Sequence, residues 1–421
     1  QQHQQQQHQQ LQHQQLQQQQ PQQVQQQLPA QHQQGQQPPL PDAHQQQLQP
    51  GLYRNSLEGG GTGPAARCSW RDVVAVALVL LLATAPVLVA AEAYFRDLAE
   101  AAEGLCGVGG ADGPGADERF PLASWEAAEA LAAAEEVSFR QEEEIEGPEG
   151  PVLVSPRSSG YCLGGAYWLL EALGVRVAVV GPASEAVPMA PRPLDREDLA
   201  GTHATVFWGA AEVTGEAAGV PAGVAAAAAE ATHALRAGGC ALLPLGPDLE
   251  LAADAAEALG RAILQLPGES QAPVFAVGGP CQLLRRCVSL AEWAHPRHAA
   301  RAHEGNSPFD MEALALASRL VLSDTVQGLA ASYREPCVVL APALPGGRGA
   351  MGHFRSLWAG QSAGRLLLLD PAAAACAGNG AGGGPPSAGQ LQQVGQQAEL
   401  RLRPREVTAL LEQAAPQAVV L

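Results

Sequence analysis

The sequence predicts an α/β fold with largely parallel sheets, and three observations predict it. From Val152 to the last residue, short apolar runs rich in Val, Leu and Ala alternate with segments whose apolar residues recur at helical spacing. Glycine or proline stands at the junctions, as at Gly174, Gly181-Pro182 and Gly238-Gly239, where such residues end one element and begin the next. Residues 1–50 show neither pattern. They are Gln-rich, hold five of the 11 histidines and carry few apolar side chains, so they cannot bury enough surface to offset their ordering entropy. A disordered segment over residues 1–66, Gln-rich and then Gly-rich, is the expectation there, with its histidines solvated.

Residues 73–91 (VVAVALVLLLATAPVLVAA) form the one membrane-like stretch, about the minimum length of a transmembrane helix. Pro86 lies inside it. A strand over 73–82 followed by a helix starting near Pro86, in proline's favoured first turn, accounts for the same residues and is preferred to a single-pass anchor. That helix runs to about Glu103. A helix over 124–137 capped by Ser124 follows, and then an acidic run at Glu142, Glu143, Glu144 and Glu146 that reads as a solvated edge. The stretch 152–184 reads as an opening strand–helix–strand unit. Its strand over 152–154 is stopped by Ser155-Pro156, and a small-residue junction (Ser158, Ser159, Gly160, Gly164) follows. A helix over 166–173 ends at Gly174, and a strand covers 175–180.

Beyond it, strands are expected over 204–208, 240–244, 274–277, 337–340, 366–369, 400–402 and 419–421. Helices are expected over 224–236, 249–266, 281–293, 326–333, 351–358 and 405–414. Residues 296–308 read as a polar loop and 372–389 as an Ala/Gly/Pro insertion without a packing pattern.

Composition narrows the function. All 24 basic residues are Arg and the formal net charge is -18, which makes the chain a poor nucleic-acid binder by itself; RNA would be reached only indirectly, through a basic partner. The eight cysteines are scattered without CxxC pairs, several within apolar strands, and read as buried thiols in a reducing compartment. The first residue is Gln, so the chain reads as an incomplete gene product. No phosphate-binding P-loop, GxSxG elbow, HExxH helix or zinc ribbon is present. His295, His298 and His303 lie together but among Arg297 and Arg301, which repel a cation, and Asp370 follows a strand without a sequence-visible partner. The residues alone support no catalytic constellation, no metal site and no cofactor.

Two stretches go beyond fold class: residues 156–170 (PRSSGYCLGGAYWLL) and 333–360 (YREPCVVLAPALPGGRGAMGHFRSLWAG). The first resembles the Gly-His-x-Leu-Gly-Ala junction of metallo-β-lactamase/β-CASP RNA-processing proteins. The resemblance extends over about residues 73–421 in collinear order, through Ala83-Thr84-Ala85-Pro86, Ala291-Glu292-Trp293 and the closing RLRPREVTALLEQAAPQAVVL. It implies a metallo-β-lactamase-like αββα domain, incomplete on its N-terminal side, over 67–202 and 364–421. A β-CASP domain would be inserted over 203–363.

Active relatives hold two zinc ions that activate water against a phosphodiester. Here Tyr161 stands where they carry a metal-binding His and Pro182 where they carry a bridging Asp. Trp208 lies near a third acid, and Arg401 and Arg403 lie near a later His-Thr-Asp. The resemblance therefore implies a nuclear pseudoenzyme without a cofactor. It would be a scaffold pairing with a zinc-dependent RNA endonuclease in small nuclear RNA 3′-end processing and transcription attenuation. Its alternatives are the inactive subunit of the cleavage and polyadenylation specificity factor, an active zinc nuclease, and the membrane anchor over 73–91.

Overall fold

A computed structural model describes residues 82–107, 124–147, 150–186, 189–210, 220–249, 251–268, 272–309, 311, 315, 317, 319–369, 371–376, 391–395 and 400–420. The Gln-rich tract, the first nine residues of the expected strand over 73–82, Asp370 and most of the Ala/Gly/Pro insertion lie outside these.

Strand β1 (Leu82–Ala83) passes through Thr84 into helix α1 (Ala85–Gly107), with Pro86 in its first turn. The expected switch from strand to helix stands there, and no described helix is long and apolar enough to cross a membrane. Helix α2 (Ser124–Ala132) stops short of Val137 because β2 (Glu135–Glu136) pairs in parallel with β1, and Val137 N donates to Ala83 O at 3.0 Å. The acidic run becomes β3 (Glu143–Gly147), which pairs with β4 (Gly150–Ser158) and forms one edge of its sheet, as a solvated edge requires.

Ser155-Pro156 does not stop β4. Pro156 lies past the end of β3, and its carbonyl accepts from Arg140 N at 2.8 Å. The missing proline N–H therefore faces a side where no ladder bond is needed. The expected helix over 166–173 is instead strand β5 (Ala166–Ala172), paired antiparallel with β4 and with β6 (Val175–Val180). Tyr167 and Leu169 are buried and their neighbours half-buried, which is the period of two of a strand. Leu173 (φ 52) and Gly174 (φ 76) form the two-residue loop between β5 and β6. Positive φ at both positions is what a tight hairpin turn demands. Gly174 thus supplies the left-handed geometry expected of a helix cap, in a different turn.

The chain continues through β7 (Ala204–Phe207), α3 (Val220–Arg236), β8 (Ala241–Leu245), α4 (Ala252–Leu264) and β9 (Val274–Val277). The helix expected over 281–293 breaks into α5 (Gly279–Arg286) and a separate 3-10 turn at Ala291–Trp293. The expected polar loop over 296–308 contains α6 (Pro296–His303), whose sequence PRHAARAH is too polar to signal a helix and is held by His298, buried at 2 %.

Then come β10 (Leu320–Ser323), which the sequence did not signal, a 3-10 turn at Gln327–Leu329 in place of the expected helix, and β11 (Val338–Pro342). Helix α7 (Gly349–Leu357), β12 (Arg365–Leu368), α8 (Pro371–Cys376), β13 (Gln392–Gly395), α9 (Pro404–Ala414) and β14 (Ala418–Val420) complete it. Residues 400–402 are not a strand, and α8 lies within the stretch expected to lack packing.

Two six-stranded sheets result. One, ordered β10-β9-β11-β8-β12-β13, is parallel throughout. The other, ordered β14-β7-β6-β5-β4-β3, is parallel at β14, β7 and β6 and antiparallel from β6 to β3. The strand partners fall differently from the expected boundaries at 203 and 364. β7 pairs with β6, while β12 pairs with β8 and β13. A register in one continuous ladder outweighs the position of a loop in sequence. The parallel sheet has a core on each face: α3, α4 and α5 supply one cluster, and α7 and α8 the other. Tyr167, Ala178, Val180 and Phe207 of the mixed sheet pack with Val407 and Leu410 of α9.

Cys162, Cys240, Cys281, Cys287 and Cys337 are buried free thiols, and Cys376 is half-buried. Cys240 and Cys337 face each other one residue before β8 and β11, with sulfurs 3.8 Å apart.

Candidate functional site

The five positions singled out as substituted gather at one end of the mixed sheet. Ser158 closes β4, Val180 closes β6 and Phe207 closes β7, so Tyr161, Pro182 and Trp208 follow three strand ends that point the same way. Leu402 N donates to Ala183 O at 2.8 Å, which brings Arg401 and Arg403 beside the loop after β6. A catalytic address in an α/β sheet has this location.

The backbone of the junction is tightly specified. Ser184 N donates to Ser159 O at 2.9 Å, Asp195 N to Ser158 O at 3.0 Å, and the Ser158 hydroxyl to Arg192 O at 2.8 Å. Gly160 has φ +70, and a Cβ there would overlap the Ser184 carbonyl. Gly164 (φ +75) faces Thr84 and Pro86, and the Thr84 hydroxyl donates to its carbonyl at 2.7 Å. The junction therefore ties the strand–helix switch at Thr84 to the mixed sheet.

The side chains at that end are bulky or cationic. Trp208, 60 % exposed, lies over Gly181, where a Cβ would come within 3.0 Å of its ring, and Pro182 packs on Gly209. The Tyr161 ring is half-buried against the core shared with α3 and α4. Arg403 N donates to the Glu406 carboxylate at 2.8 Å in the first turn of α9. The acids nearby are engaged: Asp198 accepts from Arg157 Nε at 2.9 Å and pairs with Arg140 at 3.1 Å, and Asp195 pairs with Arg140 at 3.6 Å. The Tyr167 hydroxyl donates to Asp195 O at 2.6 Å, and burial pushes its pKa up. Among the described residues no group of three or more His, Cys, Asp and Glu is placed to hold a metal ion.

The close histidines serve packing. His298 Nδ1 donates to Pro308 O at 2.7 Å and Nε2 accepts from Arg297 Nε at 3.0 Å, a tautomer that these partners assign. Burial lowers its pKa. His295 caps α6, and the remaining histidine, His303, closes it. His203 Nδ1 accepts from Arg176 N at 3.0 Å in the turn before β7.

Sequence reasoning missed a second crevice, of about 1000 Å³, at the carboxyl ends of β9 and β11. The chain leaves β9 into α5 on one face of the parallel sheet and β11 into α7 on the other, and α/β sheets open a crevice where connections diverge in this way. Val277, Pro342, Phe354 and His353 line it, together with Asp97 from α1. The Gly278-Gly279 turn at the start of α5 is an address where a helix N-terminus receives anions. Here the Asp97 carboxylate fills it, accepting from Gly279 N at 2.8 Å, and burial holds its pKa up at about 7. The signal in the sequence was the glycine pair directly after VFAV; its internal partner, 182 residues away, had none.

No family profile matches the sequence. A solved protein of unknown function from Enterococcus faecalis V583 covers 81 % of this chain and 69 % of its own at 8 % identity and a TM-score of 0.38, and nothing rests on so slight a likeness. Curated sequences give more. Integrator complex subunit 9 of Homo sapiens is 26 % identical over 227 residues, and that of Bos taurus 25 % over 226. The Nematostella vectensis homolog is also 25 % identical over 226 residues. Each match takes in 53 % of this chain, which spans about a third (33 %) of the relatives' length. Over that half of its residues the chain is similar to Integrator complex subunit 9.

Proposed function

We propose that this chain belongs to a non-catalytic scaffold subunit of the Integrator complex. It would pair with the zinc-dependent endonuclease, Integrator complex subunit 11, in small nuclear RNA 3′-end processing and transcription attenuation in the nucleus. In this reading the mixed sheet with α1, α2 and α9 is the metallo-β-lactamase-like part, and the parallel sheet with α3 to α8 is the inserted β-CASP domain.

The observation that carries it is the sheet end where Tyr161, Pro182 and Trp208 follow β4, β6 and β7, with Arg401 and Arg403 on either side of Leu402, which bonds to Ala183. A two-zinc centre needs imidazole and carboxylate donors converging from several strand ends. A phenol, a pyrrolidine ring, an indole and two guanidinium groups do not fit that set, and the two positive charges oppose it. The backbone junction at Ser158, Ser159, Gly160 and Gly164 is kept without that chemistry. Such a junction serves shape, and cutting then falls to a partner. The formal charge of -18 supports contact with RNA through that partner rather than directly.

Affinity purification of the full-length protein tests this reading. Co-purification of a zinc-dependent endonuclease subunit is expected, and recovery of none sinks it. Two zinc ions per chain, with RNA cleavage abolished by chelation, would replace it with an active nuclease.

A further inference from the structure

The Asp97 carboxylate stands between two spaces. It lines the crevice of about 1000 Å³ at the carboxyl ends of β9 and β11. It also lines a void of about 10 Å³ next to the end of β8, with Tyr94, Leu245, Leu249 and Gly279, at the threshold for holding one water. The side chain is 7 % exposed and accepts from Gly279 N at 2.8 Å. Its close approach depends on a glycine at 278, where a Cβ would overlap the carboxylate. The groups around it are Arg96 and Glu100 on α1, Cys281 on α5, Asp324 after β10, and Arg348 and His353 lining the crevice. Glu92 and Arg286 also tie α1 to α5, 3.7 Å apart, but at the surface, where such a pair contributes little.

A carboxyl group in this seat is held in its neutral form. Burial is the largest cause; the Gly279 N–H and Arg96 oppose it and Glu100 and Asp324 add to it, with the balance at about 7. Burial pushes the Cys281 thiol up to about 12, so it stays neutral through this range. Once ionised, the Asp97 carboxylate is better solvated in water than in the seat, so its charge favours separation of α1 from the first turn of α5. We infer that Asp97 is a pH-sensitive latch between α1 and α5, whose release joins the void to the crevice and extends the cavity toward the carboxyl end of β8. The latch is independent of the proposed scaffold role and uses none of the residues at the mixed-sheet end.

Amide hydrogen exchange of the full chain at pH 5 and pH 7, with each rate divided by its intrinsic chemical rate, tests it. With Asp97 in water the open form loses its proton near 3.8, whereas the closed form keeps it to about 7, so opening grows with pH between those values and levels off above them. Protection over residues 279–283 is expected to fall roughly fifty-fold from pH 5 to pH 7. It is expected to stay below that of Val339, which lies wholly buried in β11 and reports global opening. In Asp97→Asn, protection of the same residues is expected to be equal at the two pH values. Protection over 279–283 that matches Val339 at both pH values would overturn the proposal, because no local opening then exists. So would an equal fall in Asp97→Asn, which would place the titration on another group.

Discussion

Asp97 carries more of the architecture than its single hydrogen bond suggests. Its carboxyl titrates at about 7 in the folded chain against an ordinary 3.8, so between those values the native state holds a proton that the unfolded state has lost. Stability then falls as pH rises through that window. Glu100 and Asp324 add to the shift, while the Gly279 N–H and Arg96 oppose it. Asp97→Asn keeps an acceptor for Gly279 and removes the titration. Measured by urea unfolding at pH 4.5 and pH 8, the variant is expected to gain about 2 kcal/mol relative to the parent across the window. Parallel curves would refute this. Asp254, also raised to about 7, cancels in the comparison. At the junction, Gly160→Ala must accept both φ +70 and overlap with the Ser184 carbonyl, and a loss of about 2 kcal/mol or more is expected in the same assay.

The β5–β6 hairpin shows at the level of an element what the sequence could and could not reveal. AYWLLEA, the seven residues of β5, has apolar residues at positions that satisfy a short helix and a strand alike, and so few residues do not let the period decide. The decision came from partners distant in sequence: β4 on one side and β6 on the other, with Tyr167 and Leu169 turned into the core. Runs with β-branched or aliphatic residues on both faces, such as β8, β9 and β11, were legible because a strand buried in a parallel sheet needs no alternation. Polar α6 and β13 were not, because neighbours hold them in place.

The turn itself gives a test. Leu173 occupies φ 52 and is 79 % exposed, so Leu173→Asn is expected to raise stability by about 0.5–1 kcal/mol, whereas Gly174→Ala lowers it by about 1 kcal/mol. Equal midpoints in urea would show that the loop conformation differs. Residues that carried the family resemblance prove to be joints. Trp358 Nε1 donates to Tyr333 Oη at 2.8 Å and to Glu335 at 3.0 Å, and the Phe354 ring lies tilted against both, with centroids 6.0 Å from Tyr333 and 5.2 Å from Trp358. Glu335→Ala is expected to cost about 1 kcal/mol.

Across the whole molecule, Tyr161, Pro182, Trp208, Arg401 and Arg403 lie by one end of the mixed sheet, although 240 residues separate Tyr161 from Arg401. Their convergence follows from sheet order, which composition does not encode. If the scaffold reading holds, a chelator leaves Tm unchanged, since no bound metal contributes to folding; a fall of several degrees would point to a structural ion. The thiols of Cys240 and Cys337 offer a different use. They sit side by side at the entry to the two central strands, with no exposed surface, and Cys337 donates its S–H to Cys240. A thiol reagent reaches them only when β8 and β11 part. Their labelling rate under native conditions is therefore a clock for the rarest opening of the parallel sheet, readable by mass without any introduced probe.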